Sequence, residues 1–326
     1  MSSVLHTTRG WHRPLLVNTA LMLSLVAVSI VGLLVDDRAL LGEPVWVKPL
    51  KFGLSFAVYA ATLAWLLGRL TRARRFGWWV GTVFAVVGVI EVGVVAFAAA
   101  RGTFSHFNQS EEPANQAVQT IFNLGIPGIF VANLIIAIMV LFQRTGDRAL
   151  TRAIRTGLAI STVGMFLAFW IVSVNVEDPR QVTDARGETM PMVGGHGVGT
   201  PDGGGLPILN WSTEGGDMRV PHFVGLHGIQ VMLLLAIGLT ALATRYVWLR
   251  DERTRARLVG VGAAGYSGLL AVVTWQAMRG QSLIHPDAAT LTAFGTVVVL
   301  TGLALATVVA AGKRAAARSE EPALTR

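Results

Sequence analysis

Cysteine is absent from the 326 residues. That excludes disulfides, zinc–thiolate sites, iron–sulfur clusters and thiol redox catalysis in one step. Lysine is scarce, three residues against 24 arginines, and charged residues make up only 14 % of the chain. A soluble protein carries closer to about a quarter. No alternation of half-buried strands that would build a barrel is present. What fills the space is apolar: 52 % of residues are hydrophobic and the mean hydropathy is +0.56. These residues are gathered into long blocks without a polar stripe, the pattern of a polytopic helical membrane protein. The arginine-, alanine-, valine-, glycine- and leucine-rich usage is that of a high-GC bacterial genome.

Eight blocks, at 14–35, 52–68, 77–100, 117–142, 153–174, 222–244, 258–278 and 288–311, are each close to the length, about 20 residues, that crosses roughly 30 Å of hydrocarbon. The expected fold is therefore all-α, a bundle of about eight transmembrane helices forming one membrane domain over residues 1–326. The first block follows Arg9 and Arg13 as a signal peptide would. Its apolar run is too long for one, however, and it ends in Asp36 and Asp37 without a small-residue cleavage site, so a retained first helix is expected.

Basic residues alternate between the connections. The amino terminus, the 69–75, 144–155 and 245–257 connections and the tail carry 19 of them, and the other four connections carry 8. By the positive-inside rule both termini are expected in the cytoplasm of a multi-pass protein of the bacterial inner membrane. The net charge of +8 then reflects topology and contact with anionic headgroups of the lipid bilayer. No continuous basic face for nucleic acid is present.

Polar residues gather on the expected outer side. Residues 175–221 form a 47-residue connection with ten glycines and five prolines, among which His196, Asp202, Trp211, Glu214, Asp217 and Arg219 are interleaved. Loops of that length are functional caps or disordered. The spread of chemistry here, unlike a featureless Gly/Ser linker, favours an ordered extracytoplasmic cap. His6 and His12 fall on the expected inner side. The other five histidines, His106, His196, His222, His227 and His285, fall on or near the outer face.

The stretch PHFVGLHGIQ opens the sixth block with two histidines and a glutamine. From the helical rise, His227 lies about 7 Å below the outer boundary and Glu91 in the same layer, with Gln230 and Gln276 nearby. An ionisable group in a span needs compensation and is a candidate functional residue by default. His222 and His227 are about 140° apart around a helix, too far to ligate one metal as an i, i+4 pair. The expectation is that His227 belongs to a buried site facing Glu91, and His222 to the interface with the cap. Lys48 and Lys51, in EPVWVKPLKF, sit on the outer side against the charge trend, with Trp46 beside them. SHFNQSEEP contributes His106, Asn108, Gln109, Glu111 and Glu112. The candidate ligand-binding residues are therefore His227, His222, His106, Glu91, Gln230 and Lys51, with His227, His106 and His222 as candidate metal ligands.

Several motifs fail on context. GYSG at 265–268 is similar to the nucleophile segment of rhomboid proteases, but those need a downstream helical histidine, and only His285, in a loop, follows. Its small residues suit close helix packing. GHGVGTP has no preceding strand and opens no helix, so it is not a dinucleotide fingerprint. The runs KPLKF, HFN, GGHGVGTPDGG and WSTEGGDMRVPHFVGLHGIQ together resemble an uncharacterised family of bacterial integral-membrane proteins. The resemblance covers most of the chain and implies a polytopic membrane protein, without assigning an activity.

Three functions are expected from this pattern. The first is an outer-facing His/carboxylate site for a small molecule, holding a transition metal or haem, with redox or hydrolytic chemistry. The second is a transporter of a small solute, although no internal repeat or mid-membrane helix break is evident. The third is a structural or assembly subunit that binds a membrane-protein partner or a second copy of itself.

Overall fold

The structure is a computed structural model that describes residues 10–174, 179–200 and 204–320. His6 and Asp202 lie outside these residues. The chain is dominated by helices: α1 (Arg13–Val35), α2 (Val47–Gly68), α3 (Arg74–Arg101), α4 (Pro113–Leu141), α5 (Arg148–Ile171), α6 (Arg219–Leu226), α7 (Gly228–Leu242), α8 (Glu252–Met278) and α9 (Ala288–Glu320). Among the described residues seven helices are long and apolar enough to cross a membrane, and eight spans result if α6 and α7 are one bent span. Leu34, Leu124 and Phe142 are more than 70 % exposed on their outsides. Apolar side chains left uncovered over so many helices require lipid rather than water as solvent. The protein is a multi-pass helical membrane protein.

Local chemistry sets the helix starts. Asp147 and Asp251 cap α5 and α8 by accepting from Leu150 N–H and from Arg253 and Thr254 N–H, which satisfies donors a helix start leaves free. His12 caps α1 by accepting from Leu15 N–H at Nδ1, while its Nε2–H donates to Trp78 O at 2.8 Å. α1 packs on α2 and α3, α3 on α4, and α5 on α6, α7 and α8, with α9 lying against α8. We call the end with the 36–46, 102–112, 172–218 and 279–287 connections the loop end, and the opposite one the tether end.

The largest core cluster, including Leu63, Leu66, Phe84, Ile136, Ile154 and Leu158, is built from the tether half of α2 to α5. Arg255 bonds Asp147 at 2.9 Å, and Gln143 Oε1 accepts from Thr71 and Arg72 N–H, fastening the tether-end turns.

The sixth span is not continuous. α6 and α7 meet at His227 with a bend of 41°. The cause is an approach of α5 so close that only glycine fits. A Cβ on Gly164 would collide with Leu226 N and Gly225, and one on Gly225 would collide with Gly164. Ser161 Oγ donates to Leu226 O at 2.8 Å and accepts from Ile229 N–H at 3.1 Å, replacing backbone partners at the break. Tyr266 Oη donates to Val224 O at 2.7 Å. Backbone groups freed inside a membrane need such substitutes. The glycines of GYSG have a packing role: Gly265 and Gly268 face Thr301 and Val297 of α9.

The described part of the long connection is folded. β3 (Arg180–Thr183) pairs antiparallel with β4 (Thr189–Met192), and β5 (Gly197–Val198) with β6 (Gly216–Asp217). A small hairpin, β1 (Ala39–Leu40) with β2 (Glu43–Pro44), precedes α2. Asn108 bridges to Met192, and Gln109 N–H donates to Pro191 O, joining the 102–112 connection to the cap.

Candidate functional site

Beneath the cap, a cavity of about 460 Å³ occupies the loop half of the bundle, within the usual size of small-molecule pockets. α2, α3, α4, α5 and α6 form its walls, and residues of the 36–46, 102–112 and 179–212 segments its ceiling. The walls are rich in aromatic rings, including Phe52, Phe104, Phe122, Phe130, Phe169 and Phe223. Chemistry is concentrated at the ceiling, where Lys48, Lys51, Glu43, His106, His196, Arg219 and His222 all line the space. Glu91 lines it as well, from α3.

Most ceiling charges are neutralised. Lys51 Nζ donates to Glu43 at 2.5 Å and to Leu209 O at 3.1 Å. Glu43 also accepts from Asn210 Nδ2 at 3.1 Å. Arg219 pairs with Asp217 and donates to Asn210 O. Asp217, 2 % exposed, additionally accepts from Ser212 and Arg219 backbone N–H. This mesh ties the cap to α2 and α6. Burial would raise the Asp217 carboxyl, but the Arg219 guanidinium outweighs it and holds the group below its ordinary range.

Lys48 is different. Its Nζ lies 3.1 Å from His106 Nδ1 and, among the described residues, makes no carboxylate pair within 4 Å. An ammonium has only donors, so His106 accepts at Nδ1 and carries its proton on Nε2. Ser105 Oγ approaches the same nitrogen at 2.9 Å, and Phe122 packs on the ring at 4.2 Å between centroids. Burial first, then the Lys48 and His196 charges, push the His106 pKa well below its ordinary value. His196 is lowered to about 3 by burial and the Arg219, Lys48 and Lys51 charges, against the pull of Asp217. Both rings are neutral at physiological pH. His196 Nδ1 is buried with no hydrogen-bond partner among the described residues.

The two histidines of PHFVGLHGIQ are placed apart. His222 lines the cavity, its Nδ1–H donating to Gly164 O at 2.8 Å, which leaves Nε2 as an acceptor. His227 is not part of the lining; its Nε2 lies 3.0 Å from Ser55 Oγ in the seam between α2 and the helix break. Gln230 belongs to that seam too, donating to Thr62 Oγ1 at 3.2 Å, with Oε1 unpartnered. Gln276 donates to Ser282 O in the loop-end turn. The reason is the bend: once α6 tilts away from α7, equal depth no longer implies a shared face. The cavity thus gathers Lys51, Glu91, His106 and His222 and leaves out His227 and Gln230.

Glu91 is 5 % exposed, and its Oε1 has no hydrogen-bond partner. It is pressed on Gly125 of α4, where a Cβ would strike the carboxyl. Among the described residues no three His, Asp or Glu side chains converge to hold a metal ion. Two residues prominent here, Lys48 and His196, were visible in the sequence only as a lysine on the wrong side of the charge trend and a lone histidine among glycines. No known protein family, curated protein or solved structure matches the chain.

Proposed function

We propose that the cavity is the functional site and that it binds a small organic anion with an apolar body, presented from the outer face of the bacterial inner membrane, with both termini in the cytoplasm. The carrying observation is Lys48, an amine in an aromatic-walled cavity whose side-chain hydrogen-bond partner among the described residues is the His106 imidazole. An uncompensated charge in surroundings of low polarity is costly. A carboxylate or phosphate supplies the missing countercharge. His106 Nε2–H adds a donor, and His222 Nε2 adds an acceptor for any protonated oxygen of the ligand. The packed core under the cavity separates it from the tether end.

The metal or haem reading has less support. His227 lies against Ser55, outside the cavity that His106 and His222 line, and Glu91 sits apart on α3. Imidazoles as acidic as His196 are also poor bases near neutrality, which weighs against a hydrolytic role for that ring. Transport of the same anion is the second reading, favoured by the broken α6–α7 span beside the cavity.

The test is calorimetric titration of the purified protein in neutral-lipid nanodiscs with butyl phosphate and with butanol. Butyl phosphate binds and butanol does not, and Lys48→Met weakens binding by about tenfold or more, near 1.4 kcal/mol. Equal binding of the neutral alcohol, or no change in Lys48→Met, would overturn the assignment.

A further inference from the structure

The cavity lies between the cap and the core, and its side wall reaches the surface. Asn123 and Pro127 of α4 line the cavity and are also exposed, as is Val172 at the end of α5, 51 % exposed. Between the same two helices, Phe130 and Phe169 meet edge-to-face at 5.2 Å and form the lower lip of the gap. Ile126, Ala168 and Ile171 make its sides apolar.

Depth decides what lies outside this gap. Asn123 and Pro127 are roughly 9 and 15 Å below the point where the apolar run of α4 begins near residue 117. Both depths are inside the hydrocarbon layer. Water-soluble anions have no reason to use an opening there. A hydrocarbon chain does, because moving along it never exposes the chain to water. The head-binding chemistry and the gap belong to one continuous space. Phe122 of α4 packs on the His106 ring, so the gap begins at Asn123 beside the head site and continues one helical turn deeper to Pro127.

We infer that the ligand is an anionic amphiphile, whose head docks at Lys48 and His106 and whose hydrocarbon tail leaves through the gap between α4 and α5 into the adjoining lipid leaflet. This rests on the reading of the cavity as an anion site and names its substrate class. A ligand of this kind exchanges with the membrane sideways and does not require the cap to open. The cap, meshed to α2 and α6 through Glu43, Asn210 and Asp217, then acts as a fixed roof over the head.

The experiment uses the full chain in nanodiscs of neutral phosphatidylcholine with dodecyl phosphate carrying a photoreactive diazirine at the tail end. After illumination, proteolysis and mass spectrometry locate the label. The expected result is labelling at 123–127 and 168–172 that falls at least about tenfold in Lys48→Met and with excess butyl phosphate. Label at those positions that neither change reduces is ordinary boundary lipid and overturns the inference. Label confined to the cap, with the tail pointing up, overturns it as well. If butyl phosphate binds through Lys48 while the tail is never found in the gap, lateral access fails and the anion site stands. If butyl phosphate itself does not bind, the anion site has failed, and this inference with it.

Discussion

Single residues decide whether the sixth span can bend where it does. Ser161 bonds the Leu226 carbonyl and the Ile229 N–H together, so Ser161→Ala leaves two buried backbone groups unpaired. Each costs about 1–3 kcal/mol. Gly164→Ala is more severe, because its Cβ meets backbone that cannot rotate away. The expected order in thermal unfolding of purified protein is wild type, then Ser161→Ala, then Gly164→Ala, which does not accumulate folded. A Gly164→Ala protein as stable as wild type would show that the α5–α6 contact is looser than described. Sequence reading at this scale was uneven. The charge trend marks Lys48 and Lys51 alike, and the candidate set took Lys51, the deeper of the two, and not Lys48. Gly164 and Ser161 gave no signal, since small residues in a span pack in many ways and only the partner helix tells which. His222 and His227 were read on a straight helix, whereas the bend separates the cavity that His222 lines from the seam that holds His227.

At the scale of the element, the cap is the part whose stability should respond to pH. His196 is held at about 3 and His106 well below its ordinary value, whereas both titrate near 6.5 in an unfolded chain. The unfolded state therefore binds more protons through this window, and folding stability rises with pH. The contribution is complete above about pH 6.5 and is lost as pH falls toward the folded values. Each histidine contributes a limiting slope of about 1.4 kcal/mol per pH unit. Between pH 7 and pH 5, where Asp217 stays ionised beside Arg219, the unfolding temperature should fall and proteolysis in the 179–218 segment should rise. His196→Gln removes one titrating group and should flatten the slope by about one proton. An unchanged slope in that variant would mean His196 is solvated in the folded protein. The interleaved charged and aromatic residues of the connection were the ground for expecting an ordered cap, and its described part holds short strand pairs. Its pairing of β5 with β6 was not readable, because two-residue strands carry no periodicity.

For the whole molecule, the helical membrane architecture was legible because hydrocarbon thickness imposes a length on every span, and only the sixth departs from one helix per block. The cavity was not legible, since it depends on how five helices and three loop segments pack together. Orientation follows from the distribution of basic residues and can be measured directly. Reporter fusions after Arg75, Arg155 and Arg257 are expected to report the cytoplasm, and fusions after Glu112 and Asp217 the exterior. A cytoplasmic signal at Asp217 would turn the cavity to the other side of the membrane, and the anion would then come from within the cell.

The helix break bears on how the protein is made. α6 and α7 together carry Arg219, His222, His227 and Gln230, so this segment enters the membrane less readily than its neighbours. What it lacks in hydrophobicity is supplied by α5, through Ser161, the Gly164 carbonyl and the glycine contact. α5 is synthesised first. The nascent sixth span therefore emerges next to the surface that accepts its polar groups, and its integration becomes a step of assembly as much as of partition into lipid. In a chain with α5 deleted, the same segment would reach the bilayer without that surface, and failure to insert would precede any failure to fold.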